Sequence, residues 1–330
     1  MVSATSSKVL VQTLLSRIRD FYEASILPFQ YGFRGNKATQ DAIFVAKQVM
    51  SKFTGEIWGS FVDLTAAYDH IPREMLWKVM RLRLGEKNAK IVDILESLYE
   101  NTQAKLDGLD KLIDIEIGLR QGGQESCMIF NFWLDTVFRV IIYKIKNCFE
   151  AGTEPGIPHE FKINNECTNR EQRAEQAQNG KGNTLFTKFA DDIFCSARSA
   201  EELEKVMKIM VETFKEFGLT MSESKTQTMT WNTAEEVKSS KTLIKVDGFE
   251  LENVRTFRYL GCVLSDNQKD DQFIKHQITS AYKKWHEYKN VFTDKRINLM
   301  SRVMIAESMV RSRLTYAVET QRLKNDQKKN

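Results

Sequence analysis

Leu185-Phe186-Thr187-Lys188-Phe189-Ala190-Asp191-Asp192-Ile193-Phe194-Cys195-Ser196-Ala197 sets two adjacent carboxylates between two apolar runs. Both runs are rich in aromatic and β-branched residues, so they read as strands with Asp191 and Asp192 at the tip of a β-hairpin. Neighbouring carboxylates repel, and a divalent cation neutralises them. Another strand-borne carboxylate, Asp63, stands upstream in Ile57-Trp-Gly-Ser-Phe-Val-Asp63-Leu. Three carboxylates from two strands can hold two Mg²⁺ ions for in-line phosphoryl transfer. Alone, an Asp-Asp pair more often marks an ordinary surface turn.

Other segments change that weighting. In chain order they are Gln30-Tyr-Gly-Phe-Arg34-Gly-Asn-Lys37-Ala-Thr39, Phe61-Val-Asp63-Leu-Thr-Ala-Ala-Tyr68-Asp-His-Ile-Pro-Arg73-Glu, and Gly118-Leu-Arg120-Gln121-Gly122-Gly-Gln-Glu-Ser126. Phe189-Ala-Asp191-Asp192, Gly218-Leu-Thr-Met-Ser-Glu-Ser-Lys225-Thr and Phe257-Arg-Tyr-Leu-Gly261-Cys follow. Their order and spacing resemble the motifs of reverse transcriptases, most closely the polymerase domain of non-LTR (LINE-like) retrotransposons. The resemblance spans about residues 8–320.

The resemblance implies an α+β right-hand polymerase fold, with an antiparallel palm sheet carrying helices on one face and helical fingers and thumb. It implies fingers at 1–56 and a palm at 57–265 with fingers elements at about 73–118. The basic helical thumb would be 266–330. Asp63, Asp191 and Asp192 would be the catalytic metal ligands. The backbone from Leu64 through Thr65 and Ala66 to Ala67 would cradle the triphosphate. Tyr68 would exclude a 2′-hydroxyl, which predicts deoxynucleotide substrates. Gln121 and Gly122 would meet the incoming nucleotide, and Lys225 would neutralise the departing pyrophosphate. Arg34, Lys37, Arg120, Tyr259, Leu260 and Gly261 would contact template or primer, with an ion-pair role as the alternative for Arg34. Gly123 and Glu125-Ser126-Cys127 depart from the usual pattern beside Gln121.

At 330 residues, with 42% apolar and 28% charged side chains, the chain has the composition of a globular protein with a large core. No apolar run approaches the ~20 residues of a membrane span, and Met1-Val-Ser-Ala-Thr-Ser-Ser-Lys lacks a secretory apolar region. The expectation is an intracellular, nuclear or cytoplasmic protein that is not secreted and has no membrane partner. Cys127, Cys148, Cys167, Cys195 and Cys262 show no metal-site spacing, and no chemistry is assigned to the four histidines. The net charge of +4 is uneven, since residues 282–330 hold twelve Lys/Arg and five acids. A basic helical segment suits a phosphate backbone; a solvated helix surface is the plainer reading.

Residues 8–21 space Leu10, Leu14, Ile18 and Phe21 as a helix, and Thr39 is the expected cap of the next one. Pro72 opens a helix that stops near Gly85, and residues 125–147 form a long apolar helix. Residues 150–183 read as a mobile insertion, a candidate surface for a protein partner. Ser199 and Glu202 form a capping box.

The leading expectation is an RNA-directed DNA polymerase using two Mg²⁺. It would extend a DNA or RNA primer 3′-hydroxyl with dNTPs on an RNA template. The alternative is a domesticated or decayed fold serving as a non-catalytic RNA-binding or scaffold subunit. A group II intron-type enzyme ranks below both, because the tip reads Phe-Ala-Asp-Asp where that group usually has Tyr-Ala-Asp-Asp.

Overall fold

The computed structural model describes residues 5–105, 112–150, 152–160 and 181–321. Most of the expected 150–183 insertion, together with Cys167, Arg322, Lys324, Lys328 and Lys329, lies outside them. The described ends of that segment pair as a short ladder, from Ile157 opposite Thr184 to Glu160 opposite Lys181.

A six-stranded sheet forms the centre, and its middle strands are buried at nearly every position, as strands covered on both faces are. Its strands lie in the order Phe186–Phe189, Asp192–Ala197, Ile57–Val62, Gln227–Trp231, Phe249–Asn253 and Thr242–Val246. Neighbours run antiparallel except Gln227–Trp231 and Phe249–Asn253, which run parallel. The expected antiparallel sheet is therefore mixed at one joint. After Gln227–Trp231 the chain crosses through the helix Glu235–Ser239 to the outer strand, then turns back into the vacant neighbouring position.

One face carries the helices Ser126–Cys148 and Ala200–Glu216, whose apolar sides join Val62, Ile193 and Cys195 in the main core. Fully burying each large aromatic there, Trp133, Phe132 and Phe138 among them, contributes roughly 1.5–3 kcal/mol. By length and composition Ser126–Cys148 could cross a membrane, contrary to the expectation that no segment reaches that length. Two-thirds of its most apolar window is buried within the protein, so its apolar side chains serve the core. The Ser199 hydroxyl accepts the Glu202 N–H at 3.2 Å, which is half of the expected capping box; the Glu202 carboxylate instead accepts the Gly156 N–H and pairs with Arg198.

The opposite face is covered at one end. Ile43, Ala46 and Met50 of the helix Thr39–Lys52 pack there with Phe61, Phe194 and Trp231. So do Tyr259 and Leu264 of the hairpin formed by Thr256–Tyr259 and Cys262–Ser265. Thr39 is the first helical residue rather than the cap. Ala38 holds the cap position, and its N–H donates to Asp41 Oδ2 at 2.7 Å.

The first helix, Thr5–Ser25, buries Val11, Leu14, Leu15, Ile18 and Tyr22. Its buried stripe is rotated from the expected one, leaving Leu10 and Phe21 exposed. The C-terminal region is helical over Asp271–Thr293 and Leu299–Ala306, with a wide turn at Glu307–Arg311. Cys127, Cys148, Cys195 and Cys262 are free thiols.

Candidate active site

Asp63 and Asp192 are brought together by strand register. Val62 pairs with Ile193 and Phe61 with Phe194 across adjacent antiparallel strands. Asp63 follows Val62 and Asp192 precedes Ile193, so both fall at the same end of the sheet. Side chains alternate along a strand, so both also share the face of Phe61 and Phe194. Phe189 pairs with Asp192, leaving Ala190 and Asp191 as the turn. Ala190 takes a left-handed φ of 57°.

The electrostatics record this crowding. Asp191 is pushed above the ordinary aspartate range, first by burial and then by Asp63, with Lys225 opposing. Asp192 reaches solvent, yet the protein packed around it, followed by Asp191 and Asp63, raises it to about 6. Asp63 Oδ2 is buried and accepts no hydrogen bond, although Lys225 Nζ stands 3.4 Å away. A buried carboxylate oxygen without a donor, beside two carboxyls that resist ionising, fits a divalent cation with a preference for hard oxygen ligands. Among the described residues no three metal-ligating side chains are already drawn into a cage.

Tyr68 lies at the margin of this group. Its ring stacks on Phe130 with centroids 4.2 Å apart and planes 7° apart. Burial raises its hydroxyl pKa strongly, and Cys127 and Asp191 add to the effect. Leu64 bridges to Met221, and the Thr65 N–H donates to Thr220 O at 2.8 Å. The Thr65 amide is thus committed within the protein. Ala66 has a φ of 44° and its carbonyl accepts the Asp69 N–H, which turns the chain back at Ala67.

Several other sequence candidates have internal partners. Arg120 lies over the Tyr99 ring at 4.9 Å, and its guanidinium donates to Leu98 O and Thr102 Oγ1. Gln121 is exposed and donates to Asp69 at 3.1 Å, beside Gly122 with its φ of 85°. Arg34 pairs with Glu23 at 3.0 Å and donates to the Glu23 carbonyl at 2.8 Å. That is the ion-pair geometry the sequence allowed for. Lys37 stands over the Tyr31 ring at 5.4 Å.

Tyr259 is fully buried, and burial raises its hydroxyl pKa. Leu260 and Gly261 form the turn of the small hairpin, and Tyr316 packs on it. The Tyr316 hydroxyl donates to Leu260 O at 2.6 Å, and a side chain at Gly261 would meet the Tyr316 ring at 3.3 Å. The close approach at Gly261 is therefore to Tyr316. In the basic C-terminal segment Lys284, Arg296 and Arg311 pair with Glu287, Asp294 and Glu307, which lowers the charge left free there.

Three buried polar residues near the hairpin carried no role in the sequence reading. Asn131 and Asp135 lie one turn apart on Ser126–Cys148, both fully buried. Asp135 accepts the Leu27 N–H at 2.7 Å and pairs with Arg83 and Arg139, each at 2.9 Å. Lys188 is buried with its Nζ 3.9 Å from the Phe138 ring centre and without a hydrogen-bond partner. Their one sequence signal is polarity in a run otherwise fit for the core.

Known proteins resemble this chain in sequence and in fold. The COX1/OXI3 intron 2 protein of Saccharomyces cerevisiae is 26% identical over 146 residues, which is 44% of this chain and 16% of that protein. Telomerase from Candida tropicalis, solved in complex with a TWJ fragment of telomeric RNA, matches with a TM-score of 0.50 and 14% identity. That match covers 96% of this chain and 47% of the telomerase chain. This chain thus spans less than half of either protein, and the architecture it shares with telomerase is the right-hand polymerase fold. Residues 1–264 match the reverse transcriptase (RNA-dependent DNA polymerase) family, and the chain belongs to that family.

Proposed function

We propose that the chain is an RNA-directed DNA polymerase that extends a primer 3′-hydroxyl with dNTPs on an RNA template. The observation that carries the reading is the strand register that sets Asp63 and Asp192 at one end of adjacent strands, beside the turn that holds Asp191, where Asp63 Oδ2 is buried and accepts no hydrogen bond. These three carboxylates would hold two Mg²⁺ ions. When bound, the ions supply positive charge to the reacting phosphates and favour the ionised 3′-oxygen. That oxygen forms a bond to the α-phosphorus as the bond to pyrophosphate breaks. Lys225, mostly exposed beside Asp63, would meet the leaving pyrophosphate. Tyr68, held flat on Phe130, would present its edge to the sugar.

The motif order supports an origin in a non-LTR (LINE-like) retroelement. The partial likeness to the yeast intron 2 protein is the observation favouring an intron-type origin instead.

Primer extension on an RNA template with dNTPs and Mg²⁺ tests the activity, comparing the parent with Asp191→Ala/Asp192→Ala. Extension by the parent alone supports the polymerase. Tight RNA binding by both without extension by either replaces it with a non-catalytic RNA-binding role.

A further inference from the structure

The segment Phe29–Gly32 lies alongside the edge strand of the catalytic hairpin. Lys188 N–H donates to Phe29 O, and Tyr31 N–H donates to Lys188 O, both at 2.8 Å. Gln30 sits between these bonds, 1% exposed. Its carboxamide is fully engaged. Oε1 accepts the N–H groups of Gly32 and Ala190, both at 2.9 Å. Nε2 donates to Asn131 Oδ1 at 3.1 Å and to the Ala190 carbonyl at 3.3 Å. Asn131 donates in turn to Gly32 O at 2.8 Å and to the Tyr22 hydroxyl at 2.6 Å.

One side chain therefore binds both the N–H and the C=O of Ala190, the residue just before Asp191. Ala190 holds a left-handed backbone that an alanine adopts at a cost, so its neighbours must maintain it. Gly32 completes the arrangement. A Cβ there would stand 2.4 Å from the Ala190 nitrogen, so only glycine lets the two backbones approach this closely. Met or Leu at position 30 would fill the same space but take the Gln30 bonds away from the Ala190 backbone, the Gly32 N–H and Asn131 Oδ1.

We propose that Gln30, seated on Asn131, is a positioning residue that fixes the backbone of Ala190 and thereby aims the Asp191 carboxylate at the metal site. The proposal rests on the polymerase reading of the three carboxylates. It couples the N-terminal loop to the metal ligands, so that a ligand moving the loop moves Asp191.

The test uses the full chain as parent, Gln30→Met and Leu95→Ala, the last a destabilising core change on a separate helix. Amide hydrogen exchange reports the Ala190–Asp192 turn, and electron paramagnetic resonance reports Mn²⁺ binding. In Gln30→Met the turn loses protection and Mn²⁺ affinity falls by roughly 10- to 100-fold, as on losing a group that orients a metal ligand. Leu95→Ala does neither. Should Gln30→Met not fold, Gly32→Ala displaces the same turn from the backbone side and gives the same two losses. Unchanged protection of the turn, or Mn²⁺ affinity equal to that of Leu95→Ala, overturns the proposal. A parent that binds no Mn²⁺ and extends no primer overturns the polymerase reading, and the exchange data tell that result apart from a failed clamp.

Discussion

Tyr68 lies flat on Phe130, their rings 4.2 Å apart and nearly parallel at 7°. The stack holds the Tyr68 ring in one place, and a fixed ring edge can discriminate by shape. Tyr68→Ala should lower the preference for dNTPs over ribonucleotides by roughly 10- to 200-fold, the range a pocket achieves through one small group. Tyr68→Phe keeps the ring and should keep the preference. Steady-state kcat/KM for paired dNTP and rNTP substrates checks both.

The carboxylate group is costly to the protein when no cation is bound. Asp192 rises to about 6 when folded, against ~3.9 for an unfolded aspartate. Between these values the folded chain holds more protons, so this group's contribution to stability grows as pH falls from 7 towards 4. Asp192→Asn should therefore melt above the parent at pH 7 in EDTA, and the gap should close as pH is lowered. Thermal melts from pH 4 to 8 measure it, and a constant gap would remove Asp192 as its source. The same variant should lose primer extension.

Lys188 titrates in the other direction. Burial lowers it to about 7, with Asp135 opposing. From about 7 to ~10.4 the unfolded chain binds more protons than the folded one, so stability from this group rises with pH. Lys188→Met fills the space without the charge and should stabilise the protein by roughly 1–4 kcal/mol at pH 7. The gain should shrink as pH approaches 10. Contact with the Phe138 ring offsets part of the burial penalty and sets the lower end of that range. Urea unfolding at pH 7 and pH 9.5 checks the sign.

Asp135 is the buried acceptor that joins Leu27, Arg83 and Arg139. Asp135→Ala leaves the largely buried Arg83 guanidinium bonded to Ser25 O, Phe132 O and Thr136 Oγ1 but without its carboxylate partner, and should cost about 3–5 kcal/mol. The loss should appear in the midpoint of urea unfolding. Because Leu27 opens the loop that reaches Gln30, exchange protection at Ala190 should weaken in the same variant.

Much of the fold was legible because local chemistry marks it. Ser199 and Glu202 announced a helix start, and Gly85 a stop. Thr39 misled because the side chain that caps that helix is Asp41, reaching backwards. The rotated stripe on Thr5–Ser25 has a different origin. Leu10 and Val11 are both apolar, and only packing against the main core selects which of them is buried. The site candidates divided in the same way. The carboxylates stood out by sign and position, whereas Arg120 carries no mark in sequence of the carbonyl that occupies it, and Arg34, open to an ion-pair role, none of Glu23 as its partner.

Charge and hydrophobic period are local properties of the chain, so the carboxylates, their placement on strand ends and the order of the surrounding motifs can be read from the residues alone. Folding was needed to put Asp63 and Asp192 on one face, to run one pair of strands parallel and to bring Gln30 onto Ala190. Those facts depend on pairing between segments far apart in the chain. Strand register and buried hydrogen bonds are satisfied only once the packed core brings such segments within bonding distance.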